Sequence, residues 1–220
     1  MSSCCSPGGL SDSQPRFRVV LWIALIVNGA MFVIELLASH ISGSVSLQAD
    51  ALDFFGDAVN YGITLFVLGM SLQTRAYAAL FKGLTMGLFG VWVLAYALYR
   101  FMTDSVPDAA VMGGIGLLAL AANVGVAVLL FRFRGNDANA RSVWLCSRND
   151  AIGNVAVMLA ASGVFATGSG WPDIGVAAII ATLGLSAAWQ VSVQAQDELR
   201  QHRSQSKSLE GVPVAEVDRQ

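Results

Sequence analysis

Apolar residues run almost unbroken through six stretches of this chain: Val19 to Ser39, Gly43 to about Ser71, Gly83 to Tyr99, Val111 to Phe131, Ser142 to Ala166 and Ile174 to Val193. At about 1.5 Å per residue, runs of this size cross a hydrocarbon core of about 30 Å as helices. The pattern predicts an all-α membrane protein with six transmembrane helices. Polar segments separate the spans. A loop holding Arg75 and Lys82 follows span two, and Arg100, Asp104, Pro107 and Asp108 mark a turn after span three. Arg132, Arg134 and Arg141 fill the loop before span five, and Gly168-Ser-Gly-Trp-Pro-Asp173 reads as the turn before span six.

Placing the amino terminus in the cytoplasm gathers every Lys and Arg on that side except Arg100 and Arg148, as the positive-inside bias requires. Both termini are therefore expected to be cytoplasmic. Residues 1–18 have the composition of a flexible cytoplasmic leader, 19–195 form the six-span transport domain, and 196–220 make a short cytoplasmic tail with no room for a folded soluble domain. The first apolar run is too long for a signal-peptide core and is expected to be retained. Only 13% of residues are charged and 55% are hydrophobic, which excludes an ordinary soluble domain. No basic patch points to nucleic acid. The three cysteines, Cys4, Cys5 and Cys146, give no disulfide framework.

Polar residues inside the spans carry the candidate chemistry. Span two holds Asp50, Asp53 and Asp57. On a helix Asp53 and Asp57 lie one turn apart on one face, with Asp50 a turn earlier. A charge at membrane depth costs on the order of 3 kcal/mol on insertion scales, so such residues face the bundle interior and mark an ion or proton pathway. Span five echoes span two, with Leu145-Cys146-Ser-Arg-Asn-Asp150-Ala-Ile aligning on Leu52-Asp53-Phe-Phe-Gly-Asp57-Ala-Val. Each presents a ligand type at i and i+4. Two such helices can build a four-ligand, tetrahedral site from Asp53, Asp57, Cys146 and Asp150, the geometry Zn²⁺ favours, while a mixed oxygen and sulfur shell also admits Cd²⁺, Co²⁺ or Fe²⁺. Asp50 is either a further ligand or a partner for Arg148 or a backbone amide. Glu35 of span one reads as a proton or pathway residue, and Asn60, Asn123 and Asn154 as interhelical hydrogen-bond partners, with Asn154 a reserve ligand.

The run Gly43-Ser-Val-Ser-Leu-Gln-Ala-Asp-Ala-Leu-Asp-Phe-Phe-Gly-Asp57, with Glu35 before it and Trp171-Pro-Asp-Ile-Gly-Val-Ala opening span six, resembles the cation diffusion facilitator family of divalent-metal/proton antiporters over about residues 17 to 200. The resemblance implies a transport site at Asp53, Asp57, Cys146 and Asp150. The chain departs from the family pattern at Cys146, where His is expected, which brings in Asn149 or Asn154 as a substitute ligand. It also departs in lacking the carboxy-terminal cytoplasmic domain of longer members, so a homodimer would rest on the membrane part. The implied function is export of a Zn-like divalent cation (Co, Cd, Ni and Fe being alternatives) by a multi-pass protein of the bacterial inner membrane. The metal is the cargo and no cofactor or enzymatic activity is expected.

Metal and protons compete for the same carboxylates. Three carboxylates close together in a low-dielectric setting cannot all stay ionised, and a dication displaces the proton they hold. Alternating access to such a site exchanges M²⁺ for H⁺; the outward direction of the metal is implied by the resemblance. Besides metal, protons and lipid, two other partner classes fit part of the pattern. A proton-coupled exporter of small organic cations would use the carboxylates but also an aromatic cage, and no aromatic set at helical spacing surrounds Asp150. An intramembrane aspartyl protease would need Gly-x-Gly-Asp, which is absent around Asp57 and Asp150.

Overall fold

A computed structural model describes residues 15–66, 72–132 and 138–210; side chains are described except at 15, 66, 72, 75, 138–149 and 201–210. Expectations for the leader, including Cys4 and Cys5, lie outside the described residues. Six helices follow in order: α1 (Pro15–Ser42), α2 (Val45–Phe66), α3 (Leu72–Met102), α4 (Ala109–Phe131), α5 (Ala138–Thr167) and α6 (Trp171–Glu210). The described residues contain no strand. All but α2 include a stretch long and apolar enough to cross a bilayer, and α2 holds three aspartates within its 22 residues.

Several expected boundaries move. The stretch with Arg75 and Lys82 is the first part of α3 rather than a loop, and Lys82 is buried. Residues 138–141 belong to α5, and Trp171, Pro172 and Asp173 are the first turn of α6, where proline's missing N–H costs nothing. The polar stretch after Gln194 continues α6 to Glu210. Forty residues make a rod of about 60 Å, twice the hydrocarbon thickness, so the polar end of α6 stands beyond the apolar layer. Lys and Arg mark the edge of an apolar run, but backbone hydrogen bonding carries a helix past that edge.

The bundle is apolar on its outer face and sets polar side chains among the apolar ones of its interior, unlike a water-soluble domain. Its outer face carries Ile26 and Leu37 of α1, Leu88 and Trp92 of α3, Leu117 and Val128 of α4, Phe165 of α5 and Trp189 of α6. Buried within are Asn28, Glu35, Asp50, Asp57, Asn60, Lys82, Asn123, Asn154 and Asp173. The protein is a multi-pass integral membrane protein.

Small residues let the helices approach closely. A Cβ on Gly83 of α3 would sit 3.1 Å from the Ala188 carbonyl of α6, and one on Gly184 of α6 would meet the Leu52 side chain of α2 at 3.2 Å. α2 packs against α1, α3, α5 and α6, which places its aspartates at the centre.

Three short links gather at one end. Gly43, at φ +70°, turns α1 into α2 beneath the Arg100 guanidinium. Asp108 N–H donates to the Ser42 carbonyl at 3.0 Å, and the Asp108 carboxylate caps α4 by accepting from Ala110 and Val111 N–H. Phe101 and Trp171 meet edge to face with centroids 4.7 Å apart, joining the α3–α4 and α5–α6 links.

Candidate metal centre

Asp57 lies on α2 where that helix meets α3 and α5. It is buried and accepts a hydrogen bond from the Tyr61 hydroxyl at 2.8 Å, one turn along the same face. Its carboxyl group is in hydrogen-bonding contact with that of Asp150 on α5, and Lys82 of α3 is near enough to act on it through its charge. Two carboxyl groups from different helices thus converge, with a phenol donor and a buried ammonium group beside them. Neither Tyr61 nor Lys82 is among the site candidates that the sequence offers. Tyr61 was detectable as a donor four residues after Asp57, whereas Lys82 was hidden by its position in an apparent loop.

Asp53 sits one turn before Asp57 and is partly buried. Cys146 occupies the α5 backbone one turn before Asp150, the same register that Asp53 has relative to Asp57 on α2. The side chains of Cys146, Arg148 and Asn149 lie outside the described residues. Among the described residues no group of three or more His, Cys, Asp or Glu side chains converges, so of the expected four the described side chains bring Asp57 and Asp150 together.

Asp50 and Asn154 belong to a different group. The Asn154 amide donates to Asp50, and its carbonyl oxygen, the atom a metal would need, accepts from the Asn123 amide at 2.9 Å. Glu35 of α1 meets Asp50 from the other side. Glu35, Asp50, Asn154 and Asn123 therefore form one buried polar row across α1, α2, α5 and α4. Seven residues along α2 separate Asp50 from Asp57, about 10 Å. Asn123 and Asn154 are interhelical partners as expected, and among the described residues Asp50 accepts from Asn154, while the expected alternative, Arg148, has a side chain outside them. Asn28 donates to the Ala24 carbonyl of its own helix at 2.8 Å.

A further buried carboxylate, Asp173, serves the fold. It accepts from the Ser44 hydroxyl at 2.7 Å and from the N–H groups of Val45 at 2.8 Å and Ser46 at 3.0 Å. Ser44 in turn accepts from Leu47 N–H at 3.2 Å. The open N–H groups at the start of α2, a helix beginning inside the bundle, are satisfied by a side chain from α6.

The profile of the cation efflux transmembrane domain matches residues 21–199. The chain is 24% identical over 191 residues to a cadmium, cobalt and zinc/H(+)-K(+) antiporter of Bacillus velezensis, covering 80% of this chain and 60% of that protein. It is 25% identical to the metal cation efflux system protein CzcD of Cupriavidus metallidurans, covering 97% of this chain and 68% of that one. It is also 24% identical to the zinc transporter ZitB of Escherichia coli, covering 89% and 64%. The chain thus spans about two thirds or less of the length of these relatives.

Proposed function

We propose, because this chain belongs to the cation efflux transmembrane-domain family, whose members are transporters and not enzymes, that it exports a Zn-like divalent cation from the bacterial cytoplasm in exchange for protons. The observation that carries the reading is the meeting of Asp57 and Asp150 across α2 and α5 in the buried centre of the bundle. Two ionised carboxylates match the charge of one dication, and in a low-dielectric interior that balance is what permits the metal to enter. Asp53 and Cys146, each one turn earlier on its helix, complete a tetrahedral set in this proposal. Lys82 supplies part of the compensating charge when no metal is bound.

The name of the Bacillus velezensis relative pairs cadmium, cobalt and zinc with H⁺ and K⁺, which supports metal efflux coupled to a counter-ion. In this reading α2, the second span, also crosses the membrane and brings the number of crossings to six, its carboxylates turned inward. The 103–108 turn then faces away from the cytoplasm and both termini face it, in line with the Lys and Arg distribution. A homodimer in this proposal forms through the membrane helices.

The test is proton flux in proteoliposomes loaded with a pH-sensitive dye. Addition of Zn²⁺ drives proton movement in the wild type, and Asp57→Ala and Asp150→Ala each abolish it while the protein remains inserted and monodisperse. Normal flux from either variant removes the pair from the transport site. Export of organic cations in place of metal would appear as dye efflux with no response to Zn²⁺, Cd²⁺ or Co²⁺.

A further inference from the structure

Glu35 is fully buried, and among the described residues no donor reaches either of its carboxylate oxygens. What faces it is Asp50, which is also buried, so two acceptors are set within hydrogen-bonding reach of each other. Two ionised carboxylates in that position repel in a medium that screens poorly, and neither gains a bond from the other. One proton between them turns the contact into a strong, short hydrogen bond with a single net negative charge.

The remaining surroundings fit one negative charge. Asn154 donates to Asp50 from the far side and is itself held by Asn123, so the amides are oriented to support a carboxylate and offer Glu35 nothing. Among the described residues no cation is at hand to compensate a second charge; the side chain of Arg148 on α5 lies outside them, and Asp150 of α5 meets Asp57. α4 carries no charged residue, and α6 carries none between Asp173 and Asp197. Asp173 is committed to the start of α2, Lys82 acts on Asp57, and the Arg100 guanidinium lies against Gly43. Among the described residues, the charged group that bears on Glu35 besides Asp50 is Asp53, which adds repulsion.

We propose that Glu35 and Asp50 hold one exchangeable proton between them, making an acid pair about two helical turns from the Asp57–Asp150 pair that carries the counter-ion of transport. This rests on the exchange reading for its role in transport but not for the existence of the shared proton. A proton arriving at the pair neutralises one carboxylate, and its departure restores the charge; no other bond changes. Separating the proton pair from the metal pair along α2 lets the two cargoes occupy the bundle at different depths while still sensing each other's charge through Asp53.

Infrared difference spectroscopy of the protonated-carboxyl carbonyl band tests the pair directly. In an Asp57→Asn/Asp150→Asn parent, which removes the contribution of the metal pair, the band is expected to remain. Glu35→Gln and Asp50→Asn, introduced singly into that parent, each displace it, because the remaining acid then faces an amide. A band absent from the parent, or unmoved by both substitutions, overturns the proposal. In the otherwise wild-type protein, Glu35→Gln is expected to leave Zn²⁺ affinity by calorimetry within about twofold and to cut uptake driven by a pH gradient at least tenfold. Unchanged gradient-driven uptake removes the pair from the counter-ion route. Absence of any Zn²⁺ response in the wild type would instead sink the metal-export reading and leave the spectroscopic result to stand by itself.

Discussion

Asp173, in the first turn of α6, holds the Ser44 hydroxyl at 2.7 Å and with it the start of α2. Asp173→Ala leaves the hydroxyl and the Val45 and Ser46 N–H groups without their acceptor in a buried place. Each buried group left unpaired costs about 1–3 kcal/mol, so the variant is expected to lower the thermal midpoint in detergent by several degrees or to fail to accumulate. Asp173→Asn keeps an acceptor without the charge and should fall between the two. Wild-type stability of Asp173→Ala would show that α2 starts without this cap.

Asn154 joins three helices, and its replacement separates two roles. Asn154→Ala removes the partners of both Asp50 and Asn123. Side-chain hydrogen bonds in bundles are worth about 0.6 kcal/mol each and at most about 1.7, so a loss of about 1–3 kcal/mol is expected in unfolding measurements. Zn²⁺ affinity should change by less than about twofold. A drop of tenfold or more, about 1.4 kcal/mol, would make Asn154 a metal ligand after all.

Cys146 can be tested as a ligand by metal preference. A thiolate favours Cd²⁺ more than imidazole does, so Cys146→His should keep Zn²⁺ transport and lower the ratio of Cd²⁺ to Zn²⁺, while Cys146→Ser should weaken both. If Cys146 only fills space, Ser is silent and the larger imidazole disturbs the helix contact. The deciding measurement is the Cd²⁺ to Zn²⁺ transport ratio of the three proteins at one pH.

Orientation in the membrane is accessible to thiol labelling in a background with Cys4, Cys5 and Cys146 replaced. A cysteine introduced at Ser206 is expected to react with an impermeant reagent only from the cytoplasmic side, and one introduced at Ser105 only from the opposite side. Labelling of both from the same side would remove one crossing from the proposed count.

The amino-acid sequence by itself determined the helical class, the position of the apolar spans and the choice of Asp57 and Asp150 as candidate site residues. These depend on local chemistry: apolar run length sets what crosses a bilayer, and an ionisable residue inside such a run has to face inward whatever surrounds it. The i, i+4 spacing in spans two and five then placed each pair on one helix face without knowledge of the neighbours. Helix ends were less legible, because Lys82 and the residues after Gln194 look like loop or tail by polarity, yet backbone hydrogen bonding continues through them. What only the tertiary structure decided was which polar residues meet. Asp50, Asp53 and Asp57 are nearly equivalent along the chain, but Asp57 meets Asp150 whereas Asp50 meets Asn154 and Glu35. Asp173 is one more acid in a turn by sequence, and it becomes the cap of α2 because α6 begins beside the start of that helix. Partner choice depends on the crossing of helices far apart in sequence, and no local periodicity encodes those crossings.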